Sequence, residues 1–273
     1  MSDHVLVSTA DQRCVNARAT TPTEQTTARL ALQPLTARAV MRTVTDPDAS
    51  SGSLSRLVEL DPALSATVLR MANSPYFGVS GRVGGARQAV VMLGVKSVGS
   101  LAVSRTAALV FSDDDNCAPL GYWTHSITTA VACSILAPSV GVADDEAFTT
   151  GLLHDIGSLV AHNNDTAVSP DVIADHVAFG AELLLRWGLP RTTANALRLL
   201  YADPSVVHEP AARLLIAAHS LAVSVVGDKD HWSLSARDGL GLVGVAPSRL
   251  DELITKVDSE VDRIATFITG AAA

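Results

Sequence analysis

The sequence predicts an all-α protein built as a two-lobed helical bundle, and three observations support this. The 273 residues are 48% hydrophobic but only 4% aromatic, so the core must be built from Ala, Val and Leu. Leu and Ala are good helix formers, and small side chains let helix axes approach closely. Apolar residues recur at helical spacing between linkers that carry Pro or Gly. No segment alternates like a strand, so we expect helices throughout.

The first lobe is expected over residues 28–112, after a flexible tail at residues 1–27 that is rich in Thr, Ala and charged residues. Pro34 signals a helix start, and Asp61 followed by Pro62 is a helix cap and opening. The helical segments expected here are LALQPLTARAVMRTV, LSRLVELD, PALSATVLRMAN, ARQAVVMLG and VKSVGSLAVSRTAALVF.

The second lobe is expected over residues 113–273, because the polar stretch SDDDNCAPLG is the best internal boundary. Its expected helices are YWTHSITTAVACSILA, DEAFTTGLLHDIGSLVAHN, DVIADHVAFGAELLLRWG, RTTANALRLLYA, PAARLLIAAHSLAVSVVG and SRLDELITKVDSEVDRIATFI.

Charge is distributed unevenly around a net value of −8. Residues 62–112 carry five basic and no acidic side chains, whereas residues 113–273 carry nine basic and twenty-one acidic ones. The basic segment is either a set of solvated helix faces, which we favour, or a surface for an anion or an acidic partner. The net negative charge and the lack of a Lys/Arg cluster argue against nucleic-acid binding.

The compartment predicted from the sequence is cytoplasmic. The N-terminus lacks the basic start and apolar stretch of a secretory signal, and the best membrane candidate, TTAVACSILAPSVGVA, is short and contains Pro138. The three cysteines, Cys14, Cys117 and Cys133, form no closely spaced metal-binding pair and are expected to be reduced.

The stretch TTGLLHDIGSLV places His154 beside Asp155 in an otherwise apolar run. At 100° per residue, His154 falls on the helix side that carries Gly151, Gly157 and Ser158. No Lys, Arg or Glu provides a solvated face. We therefore expect a buried helix whose small-residue side presses against a neighbouring helix.

His125 is the expected neighbour of this pair. It shares its helix face with Thr128, Thr129 and Ala132, which is another side of small and polar residues. Packing of the two small sides would bring His125 close to His154 and Asp155. Imidazole and carboxylate ligands suit a divalent transition metal. The alternative is a hydrogen-bonded polar core that holds no metal.

A longer set of motifs carries a family resemblance. HDIG within GLLHDIG, with an upstream helical histidine, resembles the HD superfamily of metal-dependent phosphohydrolases. LVELDPALSATVLRMANSPYFG, AVVMLGVKSVGSLAV, WTHS, AFTTGLLHDIG, HVAFGAELLLRWGLP and IAAHSLA follow in the order of its regulatory branch, the HDOD domain. The resemblance covers about residues 30–225.

The resemblance implies a candidate metal site. His125, His154 and Asp155 match the first three ligand positions of catalytic HD proteins, while His219 takes the place of the late aspartate. A neutral imidazole in place of a carboxylate weakens the hold on a hard cation. The implied site therefore holds one divalent ion at most, and no other cofactor is expected.

Other family positions point away from catalysis. His176 matches one additional histidine of binuclear relatives, but Leu200 and Tyr201 stand where a pair of histidines is expected after WGLP. The Gly-Tyr-Pro motif of cyclic-dinucleotide phosphodiesterases is also absent. The sequence therefore predicts no catalytic residues.

The function implied is a stand-alone HDOD signalling module without catalytic activity, which binds a protein partner or a nucleotide-like anionic ligand and no membrane. Asn73, Tyr76 and Phe77 in NSPYFG are the candidate binding residues, and a packed turn between the lobes is the other interpretation of this motif. A divergent metal-dependent phosphohydrolase is the alternative function, and a nucleic-acid-binding regulator is the least favoured.

Overall fold

The computed structural model describes residues 51–74, 82–94, 97–99, 121–158, 173–226 and 234–272, together with residues 36, 39–40 and 42–43. Every regular element in these ranges is helical, which confirms the predicted all-α class. The helices are α1 (Ser51–Glu59), α2 (Pro62–Ala72), α3 (Ala86–Leu93), α4 (Tyr122–Val140), α5 (Asp144–Leu153), α6 (Ile173–Arg186), α7 (Arg191–Arg198), α8 (Pro210–Val226), α9 (Ala236–Leu242) and α10 (Leu250–Ala272). Short 3₁₀ turns occupy Pro204–Val206 and Pro247–Arg249.

Several predictions concern residues outside this part of the chain. The tail at residues 1–27 is not described, and of the boundary segment SDDDNCAPLG only Gly121 is described. The division into two lobes therefore stays a prediction. Among the helices that are described, none has both the length and the apolar character needed to cross a membrane.

Helix α2 begins as the sequence predicts. The Asp61 side chain accepts a hydrogen bond from the Leu64 amide at 2.9 Å, and Pro62 occupies the first helical position. Pro has no amide hydrogen to leave unsatisfied there, and its fixed φ suits a first turn. Helix α4 is bounded by Gly121 and Gly141, whose φ values of 78° and 72° favour glycine.

The core is centred on α4, which makes its most extensive contacts with α5 and α8. Ile127, Leu152 and Leu215 from these three helices are fully buried. The small-residue contact predicted for α5 is confirmed, because a Cβ on Gly151 would lie 2.7 Å from the Ala130 Cα. The backbones of α4 and α5 therefore touch at this point.

Helix α5 is shorter than the sequence suggested. The predicted helix ran continuously past His154, but α5 ends at Leu153, a turn occupies His154 and Asp155, and helical conformation resumes over residues 156–158. His154 keeps right-handed helical dihedrals (φ −58°, ψ −32°), so the chain changes direction here without a strained residue.

The helices before residue 100 dock on α4 and α5 through polar contacts. Trp123 donates its indole N–H to the Leu60 carbonyl at 3.2 Å. The first amide of α3, that of Ala86, donates to the Thr149 hydroxyl of α5 at 3.0 Å. The position of α3 is thus tied directly to α5, the helix that carries the His-Asp motif.

Candidate functional site

Three histidines from three helices converge beside the α4–α5 contact. They are His125 of α4, His154 at the C-terminal end of α5 and His219 of α8. One ligand nitrogen from each can be chosen so that all three lie within 4.8 Å of one another. The His125 and His154 Nε2 atoms are 3.2 Å apart. His154 and His219 are 2% and 3% exposed, so the cluster (His125, His154 and His219) is largely buried.

The packing of α5 on α4 explains the approach of His125 and His154. Gly151 allows the two backbones to meet, as a Cβ there would also lie 2.8 Å from the Thr129 carbonyl oxygen. One turn after Gly151, His154 leaves α5 beside the face of α4 that carries His125. The predicted proximity of these two histidines is what the structure shows.

The orientation of the His154 ring is fixed by a backbone carbonyl. Its Nδ1 lies 2.7 Å from the Gly151 oxygen, which can only accept a hydrogen bond. Nδ1 therefore carries the hydrogen, and in the neutral ring Nε2 carries the lone pair. This lone pair points at His125, where it can accept a hydrogen bond or bind a cation.

His154 and His219 are held in the neutral state at neutral pH. Burial lowers the pKa of His154 well below its usual value, and the neighbouring His125 and His219 lower it further. Burial, followed by the nearby His125, lowers the pKa of His219 to about 3. Both rings are therefore uncharged imidazoles, the form in which histidine binds metal ions.

Asp155 belongs to a different polar group. Ser158 donates its hydroxyl hydrogen to Asp155 Oδ1, and the same Ser158 oxygen lies 3.0 Å from His176 Nδ1. The carboxylate also raises the pKa of the buried Tyr122, after burial itself as the larger cause. Asp155 is not part of the histidine cluster. The structure thus brings together three of the four predicted metal ligands.

His176 is placed by a second close helix contact. A Cβ on Gly157 would lie 2.0 Å from the His176 carbonyl oxygen, so only glycine allows α6 to lie this close to the chain after α5. The small side predicted for the His-Asp segment therefore contacts two helices, α4 through Gly151 and α6 through Gly157. His176 faces the Ser158–Asp155 pair rather than the histidine cluster.

Tyr201 contacts the cluster at His219. Its ring meets His219 edge-on, with centroids 5.8 Å apart and planes at 90°, and the residue is 36% exposed. The sequence motifs identify Tyr201 only as a residue that stands where a histidine is expected. The contact with His219 could not be predicted, because it depends on how the chain after α7 folds back onto α8.

The predicted binding motif is described only at its first residue. Asn73 is 2% exposed, and its side-chain amide donates to the Leu69 and Val83 carbonyls at 3.1 and 2.8 Å. Its side-chain oxygen accepts from the Val83 amide at 3.2 Å. Asn73 therefore fastens the end of α2 to the segment before α3. Tyr76 and Phe77 lie outside the described residues, and the binding role of the motif stays a prediction.

The opposite end of α5 carries an acidic turn that sequence reasoning missed. Asp144, Asp145 and Glu146 each contact a different helix. Asp144 accepts from Ser134 of α4, and Glu146 accepts from Thr192 of α7 at 3.1 Å. We call these three residues the acidic turn.

Asp145 makes the contact that joins α5 to the N-terminal helices. Its two carboxylate oxygens accept from the Arg87 and Gln88 amides of α3 at 3.2 and 3.1 Å. The cap residue of α3 is Gly85, which has no side chain to cap with, so Asp145 and Thr149 of α5 cap α3 instead. A Cβ on Gly85 would lie 1.9 Å from an Asp145 oxygen.

The donor set decides which metal ions the cluster fits. Three imidazole nitrogens suit Zn²⁺ and its first-row neighbours, whereas Mg²⁺ and Mn²⁺ take carboxylate, carbonyl and water oxygens. The only histidine, cysteine or acidic side chains within this described cluster are His125, His154 and His219. The cluster thus fits a borderline ion and does not fit the hard ions of carboxylate-rich sites.

Comparison with solved structures identifies proteins of the same fold. The MmoQ response regulator from Methylococcus capsulatus str. Bath is 26% identical with a TM-score of 0.69, and the match covers 82% of this chain and 97% of that one. A virulence factor from Campylobacter jejuni subsp. jejuni has the same fold at 15% identity and a TM-score of 0.62, covering 87% of this chain and 94% of that one.

Curated relatives match over shorter stretches. An uncharacterized protein from Treponema pallidum (strain Nichols) is 27% identical over 194 residues, which is 62% of this chain and 37% of that protein. Ribonuclease Y from Thermosipho melanesiensis is 32% identical over 103 residues, which is 38% of this chain and 18% of the ribonuclease. The chain therefore spans well under half the length of these relatives.

Family models give the classification. The HD domain model matches residues 122–224, the region that carries all three histidines of the cluster. The HDOD domain model matches residues 30–169, from the N-terminal helices through the His-Asp motif. Because the second match covers more than half of the chain and the helices follow the order that its motifs predict, this protein belongs to the HDOD family.

Proposed function

We propose that this protein is a signalling module that acts by binding a partner and does not hydrolyse phosphoesters. The observation that carries the proposal is the composition of the cluster, to which the described residues contribute three imidazoles and no carboxylate. This extends the family assignment to a specific role for the chain.

The cluster offers little negative charge to hold the cation that hydrolysis requires. Metal-assisted phosphoester hydrolysis needs a firmly held cation that generates hydroxide and stabilises charge on the phosphoryl oxygens. His219 stands in the position that the resemblance assigns to a carboxylate, and Asp155 is bonded to Ser158 instead. Tyr201 also contacts His219 edge-on. These features favour a site that binds hard cations such as Mg²⁺ only weakly.

The case for regulation rests on α5. This helix has ten residues, so about 15 Å separate its two ends. One end carries His154, and the other carries the acidic turn, which bonds to α3, α4 and α7. A displacement of His154 would therefore be transmitted through α5 to α3. Such a link suits a module that converts one bound state into another.

The solved relative supports the same class. MmoQ is described as a response regulator, and its match spans most of both chains at 26% identity. We expect the partner to be a protein, with a nucleotide-like anion as the other candidate ligand. The proposed contact residues are Tyr76 and Phe77 of the NSPYFG motif, which lies within the basic segment of residues 62–112.

Two assays test the proposal. Purified full-length protein, stripped of metal and reloaded with Mg²⁺, Mn²⁺, Ni²⁺, Co²⁺ or Zn²⁺, should not cleave a chromogenic phosphodiester above the level of His154→Ala. Pull-down with wild type and with a Tyr76→Ala, Phe77→Ala double variant should retrieve a protein that the variant loses. Metal-dependent turnover that His154→Ala abolishes would overturn the proposal.

A divergent phosphohydrolase is the second candidate. Its support is the 32% identity to Ribonuclease Y over 103 residues and the retention of the adjacent His154 and Asp155. This candidate predicts cleavage of a short single-stranded RNA by the metal-loaded protein. The proposed function predicts intact RNA under the same conditions.

A further inference from the structure

The histidine cluster has a donor set that differs from the one the resemblance implied. We propose that His125, His154 and His219 bind one borderline transition-metal ion, with Zn²⁺ as the representative, and discriminate against Mg²⁺ and Mn²⁺. The inference goes beyond the proposed function, because a module that does not hydrolyse phosphoesters need not bind any ion.

The spacing of the nitrogens supports a tetrahedral ion. With zinc–nitrogen bonds of 2.0–2.1 Å, two imidazole nitrogens on one tetrahedral zinc lie about 3.3 Å apart. The His125 and His154 Nε2 atoms are already 3.2 Å apart. The widest separation among the three ligand atoms is at most 4.8 Å. Closing it requires a shift of about 1.5 Å or less by this geometry, which side-chain rotation can supply.

The ring orientations support convergence on one point. The three pairs of ring planes are inclined at 58°, 83° and 66°, with centroids 5.0, 5.1 and 5.4 Å apart. Rings arranged in this way meet at their edges, where the nitrogens lie, and do not stack face to face. The cluster therefore presents nitrogen atoms to a shared centre.

The environment of His154 supplies the outer contact that metal-binding histidines use. Such histidines donate their second ring N–H to a carboxylate, a carbonyl or water, which fixes the ring and raises its basicity. His154 makes this bond to the Gly151 carbonyl at 2.7 Å. The donor nitrogen, Nε2, is thereby oriented before any ion arrives.

Selectivity follows from the donor set of the cluster, to which the described residues contribute imidazole nitrogens and no carboxylate oxygen. Mg²⁺ and Mn²⁺ favour carboxylates and water, and the nearest acidic candidate by sequence, Asp155, is engaged by Ser158. Ser158 in turn lies within hydrogen-bonding distance of His176. Bringing Asp155 into the cluster would break this contact, so a hard ion gains little there.

The direct test is calorimetric titration of metal-stripped, full-length protein with Zn²⁺, Mn²⁺ and Mg²⁺. We expect one Zn²⁺ per chain, bound at least about 100-fold more tightly than Mn²⁺, in line with the ligand preferences. A parallel titration with Co²⁺ should give the intense visible absorption of a tetrahedral nitrogen site. This readout needs no variant and no enzymatic activity.

Variants assign the binding to the cluster. His154→Ala and His219→Ala should each weaken Zn²⁺ binding by roughly 100-fold or more, since each removes one of three ligands. His208 is exposed and serves as the control, so His208→Ala should bind as the wild type does. Circular dichroism reports whether each variant is folded, and His219→Gln replaces His219→Ala if the latter unfolds.

Each outcome separates this inference from the proposed function. The inference is overturned by substoichiometric Zn²⁺, by Mn²⁺ binding as tight as Zn²⁺, or by loss of binding in His208→Ala with retention in His154→Ala. Zinc binding accompanied by phosphodiester cleavage would support the inference and overturn only the proposed function. Zinc binding without cleavage supports both.

Discussion

The two ends of α5 are built from opposite chemistries. The N-terminal end carries three consecutive acidic residues, Asp144–Glu146, each with a hydrogen-bond donor on another helix. The C-terminal end carries His154, whose neighbours in the cluster are two more imidazoles, those of His125 and His219. One end is thus a set of carboxylates that accept hydrogen bonds from other helices, and the other is a set of imidazole rings that lie close together. The first holds the helices together, and the second is suited to receive a cation.

The close contact between α4 and α5 at Gly151 brings His154 beside His125. We expect Gly151→Val to lower the free energy of unfolding by about 3 kcal/mol, since the new side chain would overlap the Ala130 backbone. Urea denaturation measures the change. Gly241→Val is the control, because a Cβ there has no neighbour within 4 Å. Equal effects of the two variants would show that the close contact is not what limits stability.

Lowering the pH should weaken the C-terminal end in metal-free protein. The pKa of His219 is about 3 in the fold and about 6.5 in the unfolded chain, so below pH 6.5 the unfolded state binds a proton that the folded state does not. The contribution of His219 to stability is therefore fully present above pH 6.5 and is lost as the pH drops towards 3. At pH 5 the free energy of unfolding should be about 2 kcal/mol lower because of His219.

Urea denaturation at pH 7 and pH 5, with a chelator present, measures this loss. His219→Gln is the matched variant, because glutamine does not titrate in this range. Its unfolding free energy should change less between the two pH values than that of the wild type. An identical change in both proteins would mean that His219 is protonated as easily in the fold as in the unfolded chain.

Removing the carboxylate of Asp145 tests the N-terminal end. We expect Asp145→Ala to cost about 1 kcal/mol, because the Arg87 and Gln88 amides of α3 lose their cap. Hydrogen exchange of these two amides should accelerate together with the loss of stability. Asp258→Ala, at an exposed position within α10, should leave both quantities unchanged. Unchanged exchange in Asp145→Ala would rule out capping of α3 by α5.

Tyr201→Ala should have the smallest effect on stability, below about 1 kcal/mol, because the residue is 36% exposed. Its consequence should instead be kinetic. Without the ring over His219, a chelator should remove Zn²⁺ faster than from the wild type, as measured by stopped-flow release. Release at the wild-type rate would show that Tyr201 does not control access to the cluster.

The parts of the site that could be predicted are those set by local periodicity. The helix class follows from composition, and the Gly151 side of α5 identified the face that meets α4. Two adjacent residues point about 100° apart on a helix, yet the sequence analysis predicts that both His154 and Asp155 lie beside His125. The structure resolves this by giving His154 to the cluster and Asp155 to Ser158.

The parts that could not be predicted depend on contacts between distant segments. Nothing in the local pattern around Gly85 shows that its cap comes from Asp145, 60 residues later in the chain. The edge-on contact between Tyr201 and His219 likewise requires the relative position of α7 and α8. The turn that ends α5 at Leu153 interrupts an apolar run that favours helix, so tertiary packing overrides propensity there.

The metal preference proposed for the cluster depends on His219, which stands where the resemblance implies a carboxylate. It is tested most directly by measuring the ratio of Zn²⁺ to Mn²⁺ affinity in the wild type and in His219→Asp. We expect the ratio to fall by at least about tenfold in the variant, because an oxygen ligand favours the harder ion. An unchanged ratio in a folded His219→Asp protein would contradict it.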